Sequence, residues 1–178
     1  RFFNDGYIQR FDKTVAAMER LLTDNTPKNR AKAYCHYHLV VESVLAQTGY
    51  YGLTSVFSSG GDDDISQRDL PHLDGLVQGV TYIRSDEGRH VGFGMQKVQQ
   101  LIAEDDVDPA VVQNTLQDLM PHVANTVSRF GEVANSIPLV EYARGKLTRR
   151  IEIITDAEAE IPDVEKLVEI DDSPDSAR

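Results

Sequence analysis

A chain of 178 residues, 40% of them hydrophobic, suits one domain and is long enough to bury a sizeable core. Its 29 Asp and Glu outweigh 18 Lys and Arg, and the net charge of −11 argues against binding nucleic acid; solubility or salty surroundings account for it better. The single cysteine, Cys35, excludes an intramolecular disulfide and an all-cysteine metal cage and fits a reducing cytoplasm, while no apolar run approaches the roughly 20 residues of a membrane span and no signal-peptide pattern is present.

The chain begins with Arg1 rather than Met, and "RFFNDGYIQRF" is already amphipathic, so the expectation is a truncated or processed chain. Phe3, Tyr7, Phe11, Val15, Met18 and Leu22 recur at helical spacing and predict a first helix over 2–22, closed by the polar turn "TDNTPKN". A second helix is predicted from about Arg30 to Phe57. "SSGGDDDISQ" then reads as an exposed loop; its acids at 62–64 lack the spaced ligands and glycine of a calcium loop. A long third helix follows from about Pro71 to Glu104. Asp108 caps a fourth with Pro109 at its first position, running to about Asn135 and bent at Pro121, and a fifth begins near Ser136. Residues 156–178 carry nine acids and two bases and read as a weakly ordered acidic tail, with one turn at "DVEKLVEI". No alternating strand pattern appears, so the fold class is all-α, a helical bundle over 1–155.

Stepping by three and four along the third helix gives Leu73, Leu76, Val80, Ile83, Glu87, His90, Gly94, Val98 and Leu101. Only Glu87 and His90 break the apolar or small pattern, and residues three apart on a helix project into the same region. A bare buried carboxylate costs several kcal/mol, so it needs a partner, a proton or a metal. The second helix repeats the anomaly: its seam of Cys35, His38, Glu42, Leu45, Gly49 and Leu53 places another acid inward. Alone, Glu-x-x-His is a common coincidence whose ordinary reading is a surface acid near a satisfied histidine. Joined to an inward Glu from a neighbouring helix, it is the half-site of a two-metal carboxylate bundle. Carboxylates there bridge hard cations, imidazole adds a nitrogen, and open positions admit dioxygen. Asp86 is suited to hold a histidine N–H behind the ligands. His38 is expected to be an ordinary core histidine, and His36, His72 and His122 are expected on the surface or in loops.

"YHLVVESVLAQTGYYGL" at 37–53, followed by "IRSDEGRH" at 83–90, resembles the ribonucleotide reductase small-subunit superfamily, and most closely its ligand-binding oxidase branch. The resemblance covers most of residues 1–155 and implies a ferritin-like bundle lacking its N-terminal helices. It implies Glu42, Glu87 and His90 as three of six metal ligands and Asp86 as their supporting acid. Tyr37 matches a tyrosine that forms an ether crosslink to a valine beside the metals, and Tyr50 matches another tyrosine near the cofactor. Tyr51 is expected to be simply a core aromatic. Tyr37 lies five residues before Glu42, an angle of about 140° on a regular α-helix, so a π-type turn is expected to bring it to the site.

The family's earlier Glu and Glu-x-x-His have no counterpart in residues 1–41, so the expectation is the C-terminal half of a centre, able by itself to hold at most one ion with three ligands. The resemblance implies a Mn/Fe or di-iron cofactor, dioxygen as oxidant, a long-chain fatty acid or other hydrophobic ligand, a two-electron oxidation and a homodimer. One alternative is a reductase small subunit that supplies a radical to a large subunit; the last tyrosine is Tyr142 and "EIDDSPDSAR" has none, which weighs against that relay. The other is a non-catalytic, ferritin-like metal-binding bundle.

Overall fold

The structure is a computed structural model and describes residues 4–57, 71–105, 107–133, 138–156 and 159–168, with the side chains of 129–133 excluded. The predicted loop at 58–67, Phe3, Ser136 and the tail beyond Val168 lie outside the described residues. The elements are α1 (Asp5–Thr23), α2 (Pro27–Tyr34), a π-helical segment (Cys35–Ala46), α3 (Gln47–Phe57), α4 (Asp74–Glu104), α5 (Pro109–Val133), α6 (Leu139–Thr155) and α7 (Val164–Val168). No strand occurs among them, and none of the helices is long and apolar enough to cross a membrane.

Local chemistry explains the boundaries. Asn4 caps α1 by accepting from the Tyr7 N–H at 2.8 Å, and Thr26 with Pro27 opens α2. Asp108 accepts from the Ala110 N–H at 2.8 Å, as predicted for the start of α5. Pro121 sits inside α5, which continues to Val133. The predicted second helix is continuous from Pro27 to Phe57, but its middle twelve residues are π-helical. Where the π segment reverts to α, the Thr48 hydroxyl donates to the Val44 carbonyl at 2.6 Å.

The core lies between the π segment, α4, α5 and α6. Leu39, Val40 and Val44 meet Val91, Met95 and Val98, with Leu116, Leu119, Ala143 and Leu147 closing the far side. At about 25 cal/mol per Å² of buried apolar surface, this cluster holds the long helices together. Inside it, the Arg150 guanidinium donates to the Ser43 hydroxyl at 2.9 Å and to the Leu167 carbonyl at 2.8 Å. Gln47 donates to the same carbonyl at 2.9 Å, and Arg84 donates to the Val168 carbonyl. The turn predicted at "DVEKLVEI" is therefore a docked helix with Leu167 buried, not part of a loose tail. Three side chains satisfy its terminal carbonyls, which a short helix cannot satisfy itself.

Two predicted seams are corrected. On α1 the covered face is Gly6, Arg10 and Thr14, packed towards α5, while Phe11, Val15 and Leu22 are exposed. A Cβ at Gly6 would overlap the Asn125 side chain, so helix contact there requires glycine. On α4 the buried row is Val80, Gly88, Val91, Met95, Val98 and Leu101; Leu73, Leu76 and Ile83 are exposed, as is Leu53 on α3. Periodicity found real apolar stripes, but the described residues provide no helix to cover these parts of them. Glu87 and His90 thus stand on the border between the core and an open apolar face.

Candidate metal centre

Three side chains converge where the π segment crosses α4. A ligand atom from each of Glu42, Glu87 and His90 lies within 4.8 Å of the others. His90 Nδ1 is 3.3 Å from Glu42 Oε1 and 3.4 Å from Glu87 Oε2. The His90 side chain is 50% exposed and that of Glu42 only 9%. Glu87 Oε2 is buried and has no hydrogen-bond donor among the described residues. Two carboxylates held together in this way repel one another unless a cation lies between them.

The residues around this trio orient it. Tyr50 donates its hydroxyl to Glu87 Oε1 at 3.5 Å, and burial followed by the Glu87 charge raises the phenol pKa above its ordinary value. The Tyr37 phenol is raised as well, first by the charge of Glu42 and then by burial. A π-helix closes i to i+5 bonds, which sets residues five apart one above the other and accounts for the meeting of Tyr37 and Glu42.

His38 is the residue that sequence reasoning undervalued. Its Nδ1 lies 2.6 Å from Glu42 Oε2, the shortest polar contact at the site. Tyr34, Tyr37 and Phe93 surround its ring at centroid distances of 5.6, 5.1 and 5.5 Å. Its place in the seam one turn before Glu42 was the available signal. Asp86 is exposed, and its partner among the described residues is Arg89 at 2.8 Å, not a histidine. Tyr51 stacks on Tyr142 at 4.4 Å, the core role expected of it. His36, expected at the surface, is instead partly buried, with an unpartnered Nδ1.

This Glu-plus-Glu-x-x-His convergence within an all-α bundle has counterparts among solved structures. The chain resembles the R2-like ligand-binding oxidases. A valine-to-isoleucine variant of an R2-like ligand-binding oxidase with an anaerobically reconstituted Mn/Fe cofactor matches at 28% identity and a TM-score of 0.71, over 84% of this chain and 53% of that one. A valine-to-leucine variant, likewise with Mn/Fe, matches at 29% identity and 0.71, with the same coverage. A glycine-to-leucine variant carrying a non-activated Mn/Mn cofactor matches at 28% and 0.71. The chain thus spans about half the length of the R2-like ligand-binding oxidases it matches. Its fold is that superfamily's ferritin-like bundle, present in part. No protein-family model matches the chain.

Proposed function

We propose that Glu42, Glu87 and His90 are half of the ligand set of a two-metal, Mn/Fe or di-iron carboxylate centre in an oxygen-activating oxidase. The observation carrying this reading is the convergence of three donors within 4.8 Å, one of them the buried and unsatisfied Glu87 Oε2. The donor set fits: two carboxylates and an imidazole suit manganese and iron, and a Glu plus a Glu-x-x-His is half of the bundle's inventory of four carboxylates and two histidines. The remaining three donors come from outside this chain's described residues. When bound, the metal pair supplies the electrons and Lewis acidity for dioxygen reduction coupled to a two-electron oxidation.

The protein's own groups prepare the site. His38 fixes one Glu42 oxygen and leaves the other turned towards His90 and Glu87. Tyr50 holds Glu87, and Tyr37, with its raised pKa, keeps its proton beside Glu42 at ordinary pH. Tyr37 is the residue proposed to undergo oxidative ether formation with a valine: its O–H and a valine C–H are lost, an O–C bond forms, and dioxygen accepts the two electrons. The exposed apolar face beside His90 suits a hydrophobic substrate such as a long-chain fatty acid, and the assembly is proposed to be a homodimer. Asp86 is proposed to support a histidine from the other half of the centre.

The test is reconstitution of the full-length protein with manganese and iron, followed by metal analysis and intact mass. The expected result is about two ions per chain, at least tenfold weaker binding in Glu87→Gln, and an oxygen-dependent loss of two hydrogens that disappears in Tyr37→Phe. Metal loading with a stable tyrosyl radical and no mass loss would favour the radical-donating subunit. Unchanged metal content in Glu87→Gln would overturn the centre itself.

A further inference from the structure

On the side of α1 that faces α2 and α5, an open cleft of about 510 Å³ gathers Lys13 and Arg20 from α1, Lys32 from α2 and His36 from the start of the π segment. Such a gathering is anomalous in a chain of net charge −11, and like charges brought together cost free energy unless an anion joins them. Arg20 is already paired with Asp24 at 2.8 Å. Lys13 and Lys32 have no carboxylate within ion-pair distance among the described residues, although the exposed Asp118 lines the same cleft.

A second, independent feature lies beside it. Arg10 is fully buried, and none of its three guanidinium nitrogens finds a hydrogen-bond partner among the described residues. It stacks over Phe11 at 3.8 Å and contributes, with Lys13 and Lys32, to the positive field on His36. After burial itself, these charges hold His36 down to about 4. Of the neutral polar groups of the cleft, Asn29 donates to Asp24 and Thr115 to the Val111 carbonyl, while His36, held neutral, leaves its Nδ1 unpartnered among the described residues. What remains available is positive charge from Lys13 on α1 and Lys32 on α2, set against the apolar wall of Ala16, Ala17 and Leu119.

We propose that this cleft binds a phosphate-class dianion, free or as a phosphomonoester, held by Lys13 and Lys32, with the buried Arg10 on the same helix as Lys13 adding to the positive field. Phosphate suits the site better than a planar carboxylate, because its tetrahedral oxygens accept from cations arriving on several sides. The cleft has the volume of a small-molecule site, larger than bare phosphate requires, so an ester carrying a small organic group also fits. The inference is independent of the metal centre.

Calorimetric titration of the full chain at low ionic strength, with and without bound metal, tests it using inorganic phosphate, adenosine monophosphate and adenosine. Phosphate and the monophosphate are expected to bind with saturation and adenosine not at all; tighter binding of the monophosphate identifies an ester site, and equal binding a site for the free anion. Lys13→Gln with Lys32→Gln is expected to weaken both by about tenfold or more, with circular dichroism unchanged, while the two lysine-to-arginine replacements retain binding. No saturable binding by either phosphate compound overturns the proposal. So does an equal loss in Lys97→Gln, a lysine on α4 outside the cleft, which would reveal only the overall field of the protein.

Discussion

At the scale of single residues, histidines three types of surroundings apart behave differently in this chain. His90 faces two carboxylates, His38 is locked to one, and His36 sits among cations in a partly buried position. Burial first, then Lys13, Arg10 and Lys32, lowers His36 to about 4 from the 6.5 of a free histidine. Between those values the unfolded chain binds the proton that the folded chain refuses. Its contribution to stability is therefore intact above about pH 6.5 and is lost progressively as the pH falls towards 4. In urea unfolding at pH 7 and pH 4.5, His36→Gln should lose about 1–2 kcal/mol less than the parent protein, after allowance for solvent screening of a partly exposed ring. Equal losses in the two proteins would remove His36 as an acid-sensitive group. The pairing of Glu87 with His90 was legible in the sequence because i to i+3 geometry is local, and Glu42 because it interrupts the apolar seam of another helix. The roles of His36 and His38 were not, because the groups that define them arrive through tertiary packing or an unusual helical turn.

The elements that build the site meet by close backbone approach. A Cβ placed on Gly94 would overlap His38 Cβ and come 2.8 Å from its Cγ. The π segment cannot retreat easily, since Leu39, Val40 and Val44 are packed into the core. Gly94→Ala should thus gain helix propensity yet lose about 1–3 kcal/mol overall through overpacking. It should also weaken metal binding by about tenfold as His38 releases Glu42; thermal melts and metal titration of the same variant check the two effects. A variant as stable as the parent, with unchanged metal affinity, would show that this contact is not a constraint. The order of the five long helical stretches could be read from spacing and caps such as Asp108, and the π turn was expected once the resemblance set Tyr37, five residues before Glu42, beside the site. The extent of that turn, twelve residues, could not be read from a pattern of 3.6-residue steps.

For the molecule as a whole, charge and exposed apolar surface oppose each other. Phe11, Val15 and Leu22 on α1, and Leu76, Tyr82 and Ile83 on α4, remain exposed on a chain of net charge −11. Repulsion keeps copies apart at low salt, and added salt screens it while leaving apolar attraction in place. Sedimentation of the 178-residue chain should therefore show association that increases with salt, together with binding of a hydrophobic dye; Val15→Glu and Leu22→Glu should diminish both. Association that falls as salt rises would assign the contacts to charge instead. The sequence revealed these stripes as apolar, but periodicity specifies a face and not what covers it. On α1, Gly6, Arg10 and Thr14 are covered despite being far less apolar, because α5 approaches there.

The docking of α7 has a consequence for the helix on which it lies. The Leu167 carbonyl is held by Gln47 and Arg150, that of Val168 by Arg84, and the Val164 and Val168 side chains close on Gly88, the neighbour of Glu87. The short α7 is thereby pinned to α4 one residue from Glu87. Any side chain at position 88 would push against α7, so the backbone that carries Glu87 is braced by a helix that lies far along the chain.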